Sequence, residues 1–264
     1  MPEPYQYRLL FVGVNTAFEG PPLRAAVRDA EAMSDRFRGW GYQDTERHRL
    51  LVRERATAAN VLDHLQTTAR EPDLDLLLVY WAGPMLARCR AHVLATACPP
   101  DDDGAATLNL ESLTDAIAAA NARHRVLILD TCATTEGTAP DPTAPHLNRL
   151  TRLASAHAAV AVLAISAPDA LRREHHRRGY LTGALLEQLC PGAEPPRADF
   201  LGALRSAADR LETALGQHPV LWIAETAGPL HLPSMRDGDA PRARVLAMPS
   251  EHLRRSRMPA TKIA

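Results

Sequence analysis

The chain has 264 residues, 46% of them hydrophobic and 23% charged, a composition that suits a globular protein with one sizeable core. A formal net charge of −1 excludes a global field that would recruit nucleic acid or an anionic membrane, so neither is expected as a partner. Four scattered cysteines, Cys89, Cys98, Cys132 and Cys190, form no Cys-x-x-Cys pair and exclude a disulfide framework or a zinc finger.

The start, Met1-Pro-Glu-Pro, has no basic region ahead of an apolar one, and no run approaches the roughly 18 apolar residues that would span a bilayer. A cytoplasmic protein is therefore expected. The basic residues are almost all arginine, with Lys262 the only lysine, which together with the alanine excess points to a GC-rich bacterial genome.

In chain order, short apolar runs of strand length occur at residues 8–14, 75–81, 125–129, 158–166 and 219–224. They are nearly continuous rather than alternating, as strands buried on both faces of a parallel sheet must be. Helical patterns lie between them. From Leu23 the apolar positions Leu23, Val27, Ala30, Met33 and Phe37 recur at three-to-four spacing, and Gly39 and Gly41 end the run. Thr57 is placed to N-cap a second helix bearing Val61, Leu62 and Leu65. Further helices are expected over residues 110–121, 145–156, 181–189 and 198–215. This alternation predicts an α/β fold of three layers, a mainly parallel sheet with helices on both faces.

Residues 99–106, with the Asp101-Asp102-Asp103 run, and 134–145 read as surface loops. Beyond Pro233 the periodicity stops and the residues are mostly basic, so residues 1–233 are expected to form one domain and 234–264 a mobile basic tail. In open parallel sheets functional groups gather beyond the carboxyl ends of the strands. Three segments end there with residues that can do chemistry: Val14-Asn15-Thr16 leading to Asp29, Ala82-Gly83-Pro84-Met85, and Asp130-Thr131-Cys132. Taken singly, each has a bland reading: a packed cysteine, a capping aspartate, a polar residue on a helix face.

The ordered set LLFVGVN, PPLRAAVRDAEAM, DLLLVYWAG and RVLILDTCATTEG resembles the caspase and metacaspase peptidases of bacteria, over roughly Leu9 to Pro233. The family pattern is a first strand, a helix with Asp-Ala, a strand ending Ser-Gly-His-Gly and a strand ending Asp-x-Cys. The resemblance implies that Cys132 stands at the nucleophile position. It implies that Asp130 and Asp29 form the acidic pair that binds an arginine or lysine side chain in metacaspases, a task that carboxylates perform through charge-assisted hydrogen bonds. It also implies that the backbone N–H groups of Cys132 and Met85 stand where the family forms its oxyanion hole. No cofactor is expected, and calcium enters by the resemblance alone.

One departure changes the expected function. Ser-Gly-His-Gly corresponds here to Ala82-Gly83-Pro84-Met85, so proline occupies the catalytic histidine position. A thiol without an imidazole keeps a pKa of about 8.5 and is only a few per cent thiolate at neutral pH. Nothing at position 84 can protonate a leaving amine, a service that contributes about 10²–10⁴-fold. His176, in a loop that borders the substrate cleft in the family, is the candidate for a relocated base; beside so many arginines it also reads as part of a solvated turn. His92 reads as a core or edge residue, and His48, His64 and His124 as surface residues. Two functions follow: a pseudoprotease that binds a basic segment of a protein or peptide, or an Arg/Lys-directed cysteine endopeptidase with a moved base.

Overall fold

The computed structural model describes residues 4–16, 22–88, 91–97, 106–135, 160–166, 178–189, 199–215, 219–223 and 229–235. In chain order the elements are β1 (Tyr7–Gly13), α1 (Ala26–Gly39), β2 (His48–Val52), α2 (Ala58–Ala69), β3 (Leu74–Arg88), β4 (Ala91–Ala95) and β5 (Thr107–Asn109). They continue with α3 (Leu110–Ala119), β6 (Ala122–Thr135), β7 (Val160–Ser166), α4 (Tyr180–Gln188), α5 (Phe200–Leu215) and β8 (Val220–Ile223). The sheet order is β2-β1-β3-β6-β7-β8, parallel except for β8, with β4 joined antiparallel to the far half of β3 and β5 joined antiparallel to β4. The expected mainly parallel α/β fold is what the chain adopts.

Strand periodicity divides the core into two layers. Leu9 and Phe11 of β1, Leu76, Leu78 and Tyr80 of β3, and Val126 and Ile128 of β6 face α1, α4 and α5. The intervening Leu10 and Val12, Leu77, Val79 and Trp81, and Leu127 and Leu129 face α2 and α3. Both faces of the central strands are therefore buried, which is why their sequences run apolar without a break.

Two local details fix α1. The helix crosses the end of β1 so closely that a Cβ on Gly13 would lie 2.7 Å from Ala26 O and 2.9 Å from Ala30 Cβ. Its N-terminus has no side-chain cap of its own; instead the Asn15 side chain accepts the Val27 N–H at 3.0 Å. Thr57 caps α2 as expected, accepting the Asn60 N–H at 3.2 Å.

Several expectations are corrected. The strand β2 has only three apolar residues in a row, Leu50 to Val52, so its apolar signal is short; its pairing to β1 makes it a strand. The runs expected to end at residues 81 and 129 continue to Arg88 and Thr135, because each finds a paired neighbour beyond its apolar stretch. His48 is not a surface residue but a buried one, bonded to Ser34 Oγ through Nε2 at 2.7 Å. His64 and His124 are half-buried. The Met235 side chain is buried and its N–H donates to Trp40 O at 2.9 Å. The expected helix at 145–156 and the remainder of the tail lie outside the described residues.

Burial holds the His48 imidazole at a pKa of about 4, with nearby Arg38 adding to the effect. The folded form thus keeps the ring neutral, while the unfolded chain takes up a proton near pH 6.5. Stability is therefore expected to fall as pH drops from about 6.5 toward 4, by about 3 kcal/mol from this ring at the lower end. Urea unfolding of wild type and His48→Gln across that range checks it: the variant should start less stable at neutral pH but lose less on acidification.

Candidate functional site

The site is organised by the parallel ladder between β3 and β6. Its register pairs Trp81 with Leu129, Ala82 with Asp130, Gly83 with Thr131, Pro84 with Cys132 and Met85 with Ala133. The two sequence-predicted positions Pro84 and Cys132 are thus direct cross-strand partners. They stand inside their strands rather than beyond them, since the ladder continues to Ala87 and Thr135. Proline is admitted at this point because Gly83 and Pro84 have a strand neighbour on one side only. Pairing to β1 ends at Ala82, and pairing to β4 begins at Met85.

Met85 is flanked on both sides, by Ala133 on β6 and Leu94 on β4, and its side chain is buried in the core layer toward α2 and α3. The position before Pro84 is crowded: a Cβ on Gly83 would sit 3.1 Å from Val14 O and 3.3 Å from the Trp81 indole nitrogen. His92 lies on β4 opposite Ala87, half-buried, in keeping with its reading as an edge or core residue. His176 lies outside the described residues.

Asp29 and Asp130 are brought together from different elements. Asp29 is in the first turn of α1 and is buried at 2% exposure. Asp130 enters from β6. Their carboxylates meet at the start of α4: Asp29 Oδ2 accepts the Gly179 N–H at 2.8 Å, and Asp130 Oδ2 accepts the Thr182 N–H at 3.1 Å. Asp130 Oδ2 also accepts the Thr182 hydroxyl at 2.5 Å. Gly179 is the N-cap residue of α4 and has no side chain with which to cap it, so the two aspartates perform the capping from outside the helix.

A third residue extends this network. Tyr80 OH lies 2.5 Å from Thr182 Oγ1, and because the threonine hydroxyl gives its hydrogen to Asp130, the phenol must be the donor. The chain of bonds runs Tyr80 to Thr182 to Asp130. The Tyr80 pKa is raised well above 10 by burial first, then by the carboxylates of Asp130 and Asp29, so the phenol keeps its proton. Neither Tyr80 nor Thr182 is among the residues that the sequence reading marks. A tyrosine inside a doubly buried strand is the available signal, since a buried phenol needs a hydrogen-bond partner.

On the other side of α1, a cleft of about 600 Å³ is lined by Asn15, Arg24, Arg28, Glu31, Arg53 and Glu54 among others. Its charges are mixed, with Arg53 3.9 Å from Glu31, and Asp29 is not among its lining residues. Among the described residues, no group of three or more His, Cys, Asp or Glu side chains is arranged to hold a metal ion. None of the helices among them is long and apolar enough to cross a membrane.

The Caspase domain family profile matches residues 8–230. The chain belongs to the caspase-domain family. Among solved structures, this caspase domain is similar to protein GSU0716 from Geobacter sulfurreducens, with a TM-score of 0.59 and 16% identity. That alignment covers 89% of this chain and 99% of the other, a likeness of fold. No curated protein sequence matches significantly.

The contact between the acid pair and α4 has a direct test. A Cβ on Gly179 would lie 2.7 Å from Asp130 Oδ2 and 2.9 Å from Asp29 Oδ2, although the backbone there, at φ −66°, suits any residue. Gly179→Ala should therefore lower stability by about 1–3 kcal/mol through overpacking against the carboxylates. Gly183, in the same helix, serves as the control, since a Cβ there would meet nothing within 4 Å. Gly183→Ala should raise stability by about 0.5–1 kcal/mol. Equal shifts of the urea midpoint for the two variants would contradict the contact.

Proposed function

We propose that this caspase domain is a pseudoprotease, a binding or regulatory module whose acidic pair, Asp29 and Asp130, receives a basic side chain of a partner protein or peptide. The observation that carries the reading is the in-register pairing of Pro84 with Cys132 inside a continuous parallel ladder. Peptide hydrolysis by a thiol requires a base to take its proton and an acid to return one to the leaving amine. A pyrrolidine ring does neither. Hydrolysis also requires N–H groups aimed at one developing oxyanion, and preorganised donors of that kind are usually the largest single contribution to catalysis. The two candidate donors, at Cys132 and Met85, belong to residues that are members of the ladder, and the Met85 side chain anchors its backbone in the core.

What supports a retained binding role is the convergence of the two aspartates from α1 and β6 on one point. Carboxylates so placed select for N–H donors that carry positive charge, which arginine and lysine side chains supply.

The reading is checked with arginine- and lysine-terminated amide reporters, with and without calcium. Wild type and Cys132→Ala are expected to be indistinguishable, and Pro84→His alone to give at most weak turnover. Pro84→His with Met85→Gly is expected to gain cleavage that depends on Cys132, since acid–base group and backbone are then both altered. Robust wild-type cleavage that Cys132→Ala and His176→Ala each abolish would replace the proposal with an endopeptidase whose base has moved. For the binding role, Asp130→Ala should weaken capture of an arginine peptide; equal affinities would remove it.

A further inference from the structure

The acid pair already has donors of this chain's own in contact with it. Asp29 Oδ2 takes the Gly179 N–H, and Asp130 Oδ2 takes both the N–H and the hydroxyl of Thr182. The two N–H groups open α4 and so stand at the positive end of its macrodipole, equivalent to roughly half a unit charge. N–H donors backed by positive charge are also what a guanidinium presents to carboxylates. The start of α4 is thus a backbone mimic of a basic side chain.

Space decides between the two occupants. The Gly179 Cα approaches both carboxylates so closely that even a methyl group there would come within 2.7 Å of Asp130 Oδ2 and 2.9 Å of Asp29 Oδ2. A guanidinium bridging the same two oxygens would have to enter the volume that Gly179 fills. The Thr182 hydroxyl strengthens the resident state, because it is itself held by the buried Tyr80 phenol.

We infer that the acid pair is a two-state site, in which the start of α4 is the resident occupant and a basic side chain of a partner displaces it. The inference rests on the pseudoprotease reading above and adds the element that moves: residues Gly179 to Thr182 leave the carboxylates when the ligand arrives. Binding is then read out as a change at the start of α4, which is how a domain without catalysis can signal that its site is filled. Linkage fixes the sign of the coupling. Apparent affinity is the intrinsic affinity reduced by the fraction of molecules whose site is open, so anything that weakens the internal contact tightens ligand binding.

The experiment uses the full chain and two probes, acetyl-Gly-Arg-amide and acetyl-Gly-Ala-amide, titrated calorimetrically. The key variant is Thr182→Val combined with Tyr80→Phe, which removes two mutually bonded hydroxyls together and leaves neither one buried alone. It should bind the arginine probe roughly tenfold more tightly than wild type. In wild type, which needs no substitution, the arginine probe should speed hydrogen exchange at the Gly179 and Thr182 amides while the alanine probe does not. If wild type prefers arginine and Asp130→Asn abolishes binding, but the double variant binds no more tightly and the amides stay protected, displacement is wrong and the basic-ligand reading stands. If no form of the protein prefers arginine over alanine, both fall.

Discussion

The rest of the structure depends on the parallel pairing of β3 and β6. These are the longest strands among the described residues, and their ladder runs from Leu74 opposite Ala122 to Ala87 opposite Thr135. Because side chains alternate along a strand, one register assigns every residue of both strands to a face. It sends Tyr80 toward α4 and Trp81 toward α2 and α3, and it sets Ala82 beside Asp130 and Pro84 beside Cys132. A slip of one residue would exchange the two core layers and would bury Asp130 against α2 and α3, away from the helix terminus it serves. The site is therefore a consequence of core packing, and its residues cannot be repositioned without repacking both layers.

Helix termini supply the second organising constraint. The first N–H groups of a helix have no partner within it, and among the described residues α1 and α4 have theirs satisfied by residues remote from the helix rather than by the residue just before it. Asn15 serves α1; Asp29 and Asp130 serve α4. The arrangement is hierarchical, since Asn15 seats the first turn of α1, and that turn carries Asp29 to α4. Two carboxylates in close company repel each other, and the three donors at the start of α4 together with its macrodipole offset that repulsion.

How much of this is legible in the sequence follows from how local each signal is. Strands β1, β3 and β6 are readable because burial on both faces leaves an unbroken apolar run, β7 because its sequence runs apolar throughout, and α1, α2, α3, α4 and α5 because their apolar positions repeat at helical spacing. Thr57 announces its helix through a cap three residues from the bond it makes. Strand β2 escapes because its apolar run is only Leu50 to Val52, as do the far halves of β3 and β6, where Gly83 and Pro84 carry no strand propensity and pairing imposes the form. The positions of Asp29 and Asp130 can be marked from the order of motifs. Their bonding to Gly179 and Thr182 cannot, because those contacts join residues 150 and 52 positions apart and leave no local pattern. The burial of His48 is hidden for the same reason: its partner Ser34 and the aromatic ring of Phe11 beside it come from other elements.

The closed ladder also bears on why a caspase domain without a histidine at position 84 remains a stable fold. Active sites hold polar groups placed for the reaction rather than for packing. Such geometry works against stability, which is the usual relation between active sites and the scaffolds that hold them. At position 85, where the family pattern has glycine, methionine is buried in the core layer with Trp81 and Leu94. Full burial of a methionine side chain is worth about 1.5–3 kcal/mol, a contribution that glycine cannot make. At position 84 proline removes a side chain that would need a polar partner and sits where the absent N–H breaks no pairing to a neighbouring strand. Both residues therefore fit the ladder: Met85 adds to the core layer toward α2 and α3, and Pro84 costs no strand pairing.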